Sequence, residues 1–175
     1  MSHTIVIYTD GSALSNPGPG GWGYLIWNKI ENKIIEGGGY QDHATNNQME
    51  LKALLDVFKY INKLKTSGDI VIHLDSDYVR NGITTWIHNW KKNGWKTVNK
   101  KQVLNKEIWI DIDKYFEKIK EKHKIKLVRV DGHSGNAGND IVDEIAKEYA
   151  LNKKYKCFNG SKDDFEKLKG ITLAK

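Results

Sequence analysis

The sequence predicts an α/β fold, a mixed sheet of antiparallel meander plus parallel strands flanked by helices. Three observations carry this expectation. Short apolar or β-branched runs separated by turn residues fill the first 40 positions, as in an antiparallel meander. Beyond them, helical periodicity alternates with apolar runs, the pattern of β-α-β crossovers. The 175 residues, 39% hydrophobic and 29% charged, suit a single domain with a sizeable core.

His3 to Thr9 is β-branched and apolar and stops at Asp10-Gly11, so it reads as a strand ended by a turn. Asn16-Pro17-Gly18-Pro19-Gly20-Gly21 is loop chemistry. Trp22 to Trp27 and Lys33 to Tyr40 read as a hairpin joined by the polar Asn28 to Asn32. Thr45 to Lys65 is the clearest helix. Thr45-x-x-Gln48 has the capping-box pattern, and Leu51, Leu54, Leu55, Phe58 and Ile61 recur at helical spacing. Ile70 to Leu74 is a continuous apolar run, which suits a strand buried on both faces.

Asp77 to Trp90 reads as helix with a break at Gly82, and the basic Lys91 to Lys101 as an extended loop. Leu104 to Lys120 is a second amphipathic helix, Ile125 to Val130 a strand, and Asp131 to Asn139 a loop rich in Gly and Asn. Ile141 to Leu151 is the last strong helix. Residues 152–175 are a Lys-rich extension with a short helix at Asp163 to Lys169, not a separate domain.

The formal charge of +6 and pI near 9.2 permit a polyanionic partner. The distribution is more informative. No acid lies between Arg80 and Lys106, while Lys91, Lys92, Lys96, Lys100 and Lys101 all do. No stretch approaches the ~20 apolar residues of a membrane span, and the N-terminus lacks a leader pattern. A cytoplasmic protein with no membrane partner is expected. The single Cys157 forms no internal disulfide, and no Cys/His cluster has zinc spacing.

Four carboxylates stand out. Asp10 and Asp75 each follow an apolar strand directly, where open α/β sheets bind ligands. One Asp there is ordinary turn chemistry; two alike favour a shared site. Glu50 reads as lying in the first turn of the long helix, where an acid suits the dipole. Its phase, however, puts it on the edge of the apolar stripe. Asp143 also lies on the inner side of its helix, whereas nearby Asp140 aligns with Glu144 and Lys147 on the solvated face. Clustered acids repel unless a cation joins them. Divalent ions with oxygen ligands, such as Mg²⁺, fit that need.

The segments Tyr8-Thr9-Asp10-Gly11-Ser12, Thr45-Asn46-Asn47-Gln48-Met49-Glu50-Leu51, Asp75-Ser76-Asp77-Tyr78-Val79 and Gly132-His133-Ser134-Gly135 with Asn139 and Asp143 resemble the bacterial type 1 ribonucleases H. Trp86 to Lys96 resembles the basic protrusion of those enzymes. The resemblance runs in order over roughly residues 4–151. It implies a ribonuclease H-like fold with a five-stranded mixed sheet, and a catalytic domain over residues 1–151 with the protrusion at about 86–106. It implies an endonuclease that hydrolyses the RNA strand of RNA–DNA hybrids and leaves 5′-phosphate and 3′-hydroxyl ends. Asp10, Glu50, Asp75 and Asp143 fall on the family's metal-binding acids, with two Mg²⁺ ions in the presence of substrate and Mn²⁺ as a substitute. His133 falls on its mobile catalytic histidine.

The same resemblance places Gly11, Asn16, Thr45, Asn46, Asn47 and Asn139 against the hybrid. Lys91, Lys92, Lys96, Lys100 and Lys101 would supply sequence-independent phosphate contacts from the protrusion, with Trp95 beside them. Trp86, Trp90 and Trp95 read as a packed aromatic cluster in preference to a base-stacking surface. Two positions depart from the family. Asp77 stands where Gln is common, and Trp27 where an Arg near a phosphate pocket is common. A monomer is expected. A hybrid-binding module without catalysis, or another nuclease of the same fold, is the competing reading; the complete acid set and the protrusion favour the hydrolase.

Overall fold

Period-two alternation on the first strand sets the two faces of the sheet. The computed structural model describes residues 4–132, 135–152 and 154–173. In it, β1 (Ile5–Ala13) sends Ile5 and Ile7 into one core cluster and Val6 and Tyr8 into the other. β1 pairs antiparallel with β2 (Gly18–Asn28), and β2 pairs antiparallel with β3 (Lys33–Ala44). On the other side of β1 lies the parallel β4 (Gly68–Leu74), followed by the parallel β5 (His123–Arg129). The C-terminal ends of β1, β4 and β5 therefore share one edge of the molecule.

Helix α1 (Asn46–Asn62) and helix α4 (Lys106–Lys120) cover one face with Leu51, Leu54, Phe58, Ile61, Trp109, Ile112 and Ile119. Helix α5 (Ala137–Ala150) covers the other with Ile141, Val142 and Ile145. The capping box at Thr45 is complete. Thr45 Oγ1 accepts from Gln48 N at 3.2 Å, and Gln48 Oε1 accepts from Thr45 N at 3.0 Å.

The path from Asp77 to Lys92 does not break at Gly82. It passes from α2 (Asp77–Asn81) through a π-helical stretch, Gly82–Trp86, into α3 (Ile87–Lys92). Gly82 serves close approach instead. A Cβ there would lie 2.1 Å from the ring of Trp109, which is fully buried. Trp109 donates to the Tyr78 hydroxyl at 3.0 Å and packs against Trp90, with centroids 5.4 Å apart. Trp90 in turn contacts Trp86 and Trp95 at 5.8 and 6.4 Å. The tryptophans of the protrusion are thus a packed cluster rooted in the core.

Several boundaries differ from the sequence reading, three of them at runs of turn residues. β1 runs on past Asp10 to Ala13, β2 begins inside the Pro-Gly stretch, and α5 begins at Ala137. In each case pairing or packing carries regular structure through residues of low propensity.

Among the described residues the sheet has six strands, not five. β6 (Asn159–Ser161) pairs antiparallel with β3 and leads into α6 (Lys162–Lys169). Asn-Gly-Ser carries no strand signal. It pairs because β3 offers an open edge, and because the extension buries Phe165 and Leu173 in a cluster with Trp27 and Ile34. Trp27 is 6% exposed and pairs with Val6, four positions before Asp10 on β1. Lys29 and Lys162 place their ammoniums 4.8 and 5.1 Å from its ring centroid. Trp27 is therefore a packing surface for the extension.

Candidate active site

Asp10 sits within β1, opposite Gly23 of β2, and not beyond the strand as the sequence suggested. The next residue explains how a helix reaches it. A Cβ on Gly11 would lie 2.2 Å from Glu50 N and 2.3 Å from the Met49 carbonyl carbon. Only glycine lets α1 cross β1 that closely, and the crossing sets Glu50 beside Asp10. Glu50 lies beyond the first turn of α1, which begins at Asn46 and contains no acid. The helix dipole therefore gives a weaker reason for an acid here than expected. Asp75 follows Leu74, the last residue of β4. One carboxylate oxygen from each of Asp10, Glu50 and Asp75 lies within 4.8 Å of the others, the one such group of acids among the described residues.

The cluster is electrostatically strained. Burial and then the charges of Asp75 and Asp143 push the Asp10 carboxyl up to about 7, against the hydrogen bond it accepts from Gly11 N at 2.7 Å. Glu50 is held well above the usual carboxylate range, first by burial and then by Asp10 and Asp75. At neutral pH without a cation the group retains protons. An oxygen-only donor set that resists full ionisation fits a hard divalent cation.

Asp143 stands at the margin. It contributes to the field on Asp10, but its Oδ2 is held by Lys147 Nζ at 2.7 Å, one helical turn on. Asp143 is half-buried while Asp140 is exposed, as helical phase predicted. Lys147, a helical neighbour of Asp143 that also aligns with Asp140 on the solvated face, thus supplies a cation at the edge of the acid cluster. Replacing it with Met should strengthen Mg²⁺ binding several-fold, measured by calorimetry, because a competing positive charge is removed. Unchanged affinity would show that the pair is only a surface contact.

His133 lies outside the described residues. Asn16, Asn46 and Asn47 are exposed around the N-terminus of α1. Asn16 Oδ1 accepts from Asn46 N at 3.2 Å, and Asn46 Oδ1 accepts from Ala13 N at 2.7 Å, so both also pin the β1–β2 turn to the helix. Thr45 caps α1 and Gly11 lies under it. Asn139 is the exception: it is 3% exposed, so its amide faces the interior rather than the surface. On the protrusion, Lys92, Lys96, Lys100 and Lys101 are exposed, and Trp95 is half-buried with φ +60°. Lys91 is engaged by Asp113 at 2.9 Å.

Comparisons with known proteins show the family. The family model described as RNase H matches residues 2–151. Ribonuclease HI of Pasteurella multocida is 44% identical over 152 residues, covering 87% of this chain and 93% of that one. Ribonuclease H of Thermosynechococcus vestitus is 42% identical over 147 residues, covering 84% and 89%. Among solved structures, LC9-RNase H1, a type 1 RNase H with the type 2 active-site motif, superposes with a TM-score of 0.79 at 22% identity, over 99% of this chain and 88% of that one. LC11-RNase H1, solved in complex with an RNA/DNA hybrid, has a TM-score of 0.59 at 25% identity, over 85% and 97%. The matched span runs from β1 through α5 and takes in all of the acids that converge on Asp10; the chain belongs to the ribonuclease H family.

Proposed function

We propose that this protein hydrolyses the RNA strand of RNA–DNA hybrids, leaving 5′-phosphate and 3′-hydroxyl ends, with Asp10, Glu50, Asp75 and Asp143 holding two Mg²⁺ ions. The observation that carries the reading is the convergence of Asp10, Glu50 and Asp75 within 4.8 Å, with Asp10 pushed to about 7. Such a group gains from a divalent cation what it loses by mutual repulsion. Bound ions would lower the pKa of an attacking water and stabilise the departing oxygen. Mn²⁺ offers the same coordination chemistry and is the expected substitute.

The chain's own residues supply the remaining parts. His133, four residues after Arg129 in the sequence, serves proton transfer in this reading, as an imidazole can near neutral pH. Gly11, Asn16, Thr45, Asn46 and Asn47 surround the start of α1, where amide groups that donate and accept suit a 2′-hydroxyl and the helix N-terminus suits phosphate. Asn139 belongs to the same set in this reading, although its side chain is buried. Residues 1–151 form the catalytic domain, acting as a cytoplasmic monomer. No helix among the described residues is long and apolar enough to cross a membrane.

The test is a cleavage panel with Mg²⁺ and matched hybrid, double-stranded RNA, double-stranded DNA and single-stranded RNA. Cleavage confined to the RNA of the hybrid is expected. Binding of the hybrid without cleavage would sink the enzymatic reading. The protrusion makes a second, separable prediction. Lys92→Ala and Lys96→Ala should each flatten the salt dependence of hybrid binding by up to about one unit of slope. Lys91→Ala should do less, because Asp113 already neutralises it. Equal slopes for all variants and the parent would move the phosphate contacts off the protrusion.

A further inference from the structure

We infer that Arg129 grips the backbone of the cleaved strand beside the acid cluster, with Asp77 fixing the direction of its guanidinium. The inference rests on the hybrid-hydrolase reading above and concerns how that substrate is held. It starts from the residue that departs from the family pattern. Asp77 stands two positions after Asp75, at the start of α2. Its carboxylate is engaged within the protein. Oδ1 receives Arg80 Nη2 at 3.1 Å and Arg129 Nε at 3.3 Å. Two guanidiniums share this one carboxylate, and Asp131, 3.7 Å from Arg129 Nη1, balances the second positive charge only from a largely exposed position.

Arg129 is the better placed of the two cations. It is the last residue of β5 and the register partner of Leu74, the residue before Asp75. Neighbouring strands lie about 4.8 Å apart, so the backbone of Arg129 stands one strand from that of the Asp75 segment, on the edge where the acids converge. Its side chain is 49% exposed against 39% for Arg80, whose Nε is buried without a hydrogen-bond partner among the described residues. The guanidinium presents donors in a fixed fork. Asp77 takes Nε, and Asp131 approaches Nη1 at the longer distance of 3.7 Å from a largely exposed position. Nη2 takes part in neither contact.

A strand that brings its scissile phosphate to Asp10, Glu50 and Asp75 carries the adjacent phosphates across the same edge. The acid cluster repels those phosphates, so a cation there lowers the cost of approach, and a guanidinium held at one nitrogen offers the others as a bidentate phosphate clamp.

The experiment compares Arg129→Ala, Arg129→Lys and Asp77→Ala with the parent in three measurements: steady-state cleavage, thermal melting, and hybrid binding at several salt concentrations with EDTA present. Arg129→Ala should raise KM several-fold, more than it lowers kcat, and reduce the salt slope by about one. Arg129→Lys should keep the slope but recover only part of the KM, since the ammonium lacks the fork. Asp77→Ala keeps the cation and so keeps the slope. If the pair merely ties α2 to β5, Asp77→Ala and Arg129→Ala will lower the melting temperature alike and leave the slope untouched, which overturns the inference. A parent protein that neither binds nor cleaves the hybrid would overturn the underlying reading as well. A parent that cleaves while Arg129→Ala retains the full slope overturns this inference only.

Discussion

Asp10→Asn is expected to abolish hybrid cleavage and, in metal-free protein near pH ~8, to make the fold more stable. Both effects have one origin. Asp10 is 6% exposed and packed among acids, and its carboxyl titrates at about 7. In the unfolded chain it titrates near ~3.9. The folded state therefore holds the proton more tightly. Its contribution to stability is full below about pH 4, falls as pH rises, and is lost once pH passes about 7. A shift of roughly 3 units at 1.36 kcal/mol each bounds the effect at about 4 kcal/mol. Asn keeps the shape and cannot ionise, so it removes this loss.

Urea denaturation in EDTA at about pH 5 and about pH 8 reads the effect. The parent should be weaker at the higher pH. Asp10→Asn should exceed it there, and the two should converge at the lower pH. Some pH dependence will remain in the variant, because Glu50 is also held above its usual range. Added Mg²⁺ should reverse the order, since it binds the folded parent and raises its stability with concentration, and binds the variant less well. A variant weaker than the parent at the higher pH without metal would show that the carboxylate cluster is not under electrostatic strain. Residual cleavage at a substantial rate would remove Asp10 from the proposed metal ligands.

How much of this was legible beforehand depended on the kind of signal. Asp143 was separable from Asp140 because helical phase is a local property, and the capping box at Thr45 was readable for the same reason. The crossing of α1 over Gly11 was not. Nothing in Asp10-Gly11 distinguishes a turn from a strand whose missing side chain admits a helix 39 residues later in the chain, and the strand reading came only with the pairing of Asp10 to Gly23. Lys147 was missed for a related reason. Its spacing to Asp143 was visible, but the salt bridge matters only because Asp143 borders acids brought in from three other elements. β6 was invisible because its three residues have no propensity of their own and owe their conformation to the edge of β3.

That extension supports the other large expectation: Lys169→Met should cost about 3–5 kcal/mol, the loss typical of breaking a buried ion pair from one side. The Glu36 side chain is fully buried on β3, and Lys169 Nζ lies 3.2 Å from its Oε1. Phe158 N donates to Oε2 at 2.9 Å and the Tyr155 hydroxyl to Oε1 at 3.3 Å, while Lys169 also donates to that hydroxyl at 2.6 Å. Every group that satisfies Glu36 in this network comes from residues 155–169. With Met at 169 the two neutral donors remain, but the charge is left without a counter-ion on a fully buried side chain. The melting temperature should drop by on the order of 10 °C. The charge, not the shape, is the cause, so Glu36→Gln added to Lys169→Met should recover much of the loss: the amide still accepts from Phe158 N and carries no charge to strand. If the double variant is as weak as Lys169→Met alone, the cost came from packing around the lysine stem. If Lys169→Met loses no more than an exposed lysine would, the extension is held to the sheet by Phe165, Leu173 and Trp27 alone, and the ion pair serves only to make a buried carboxylate tolerable.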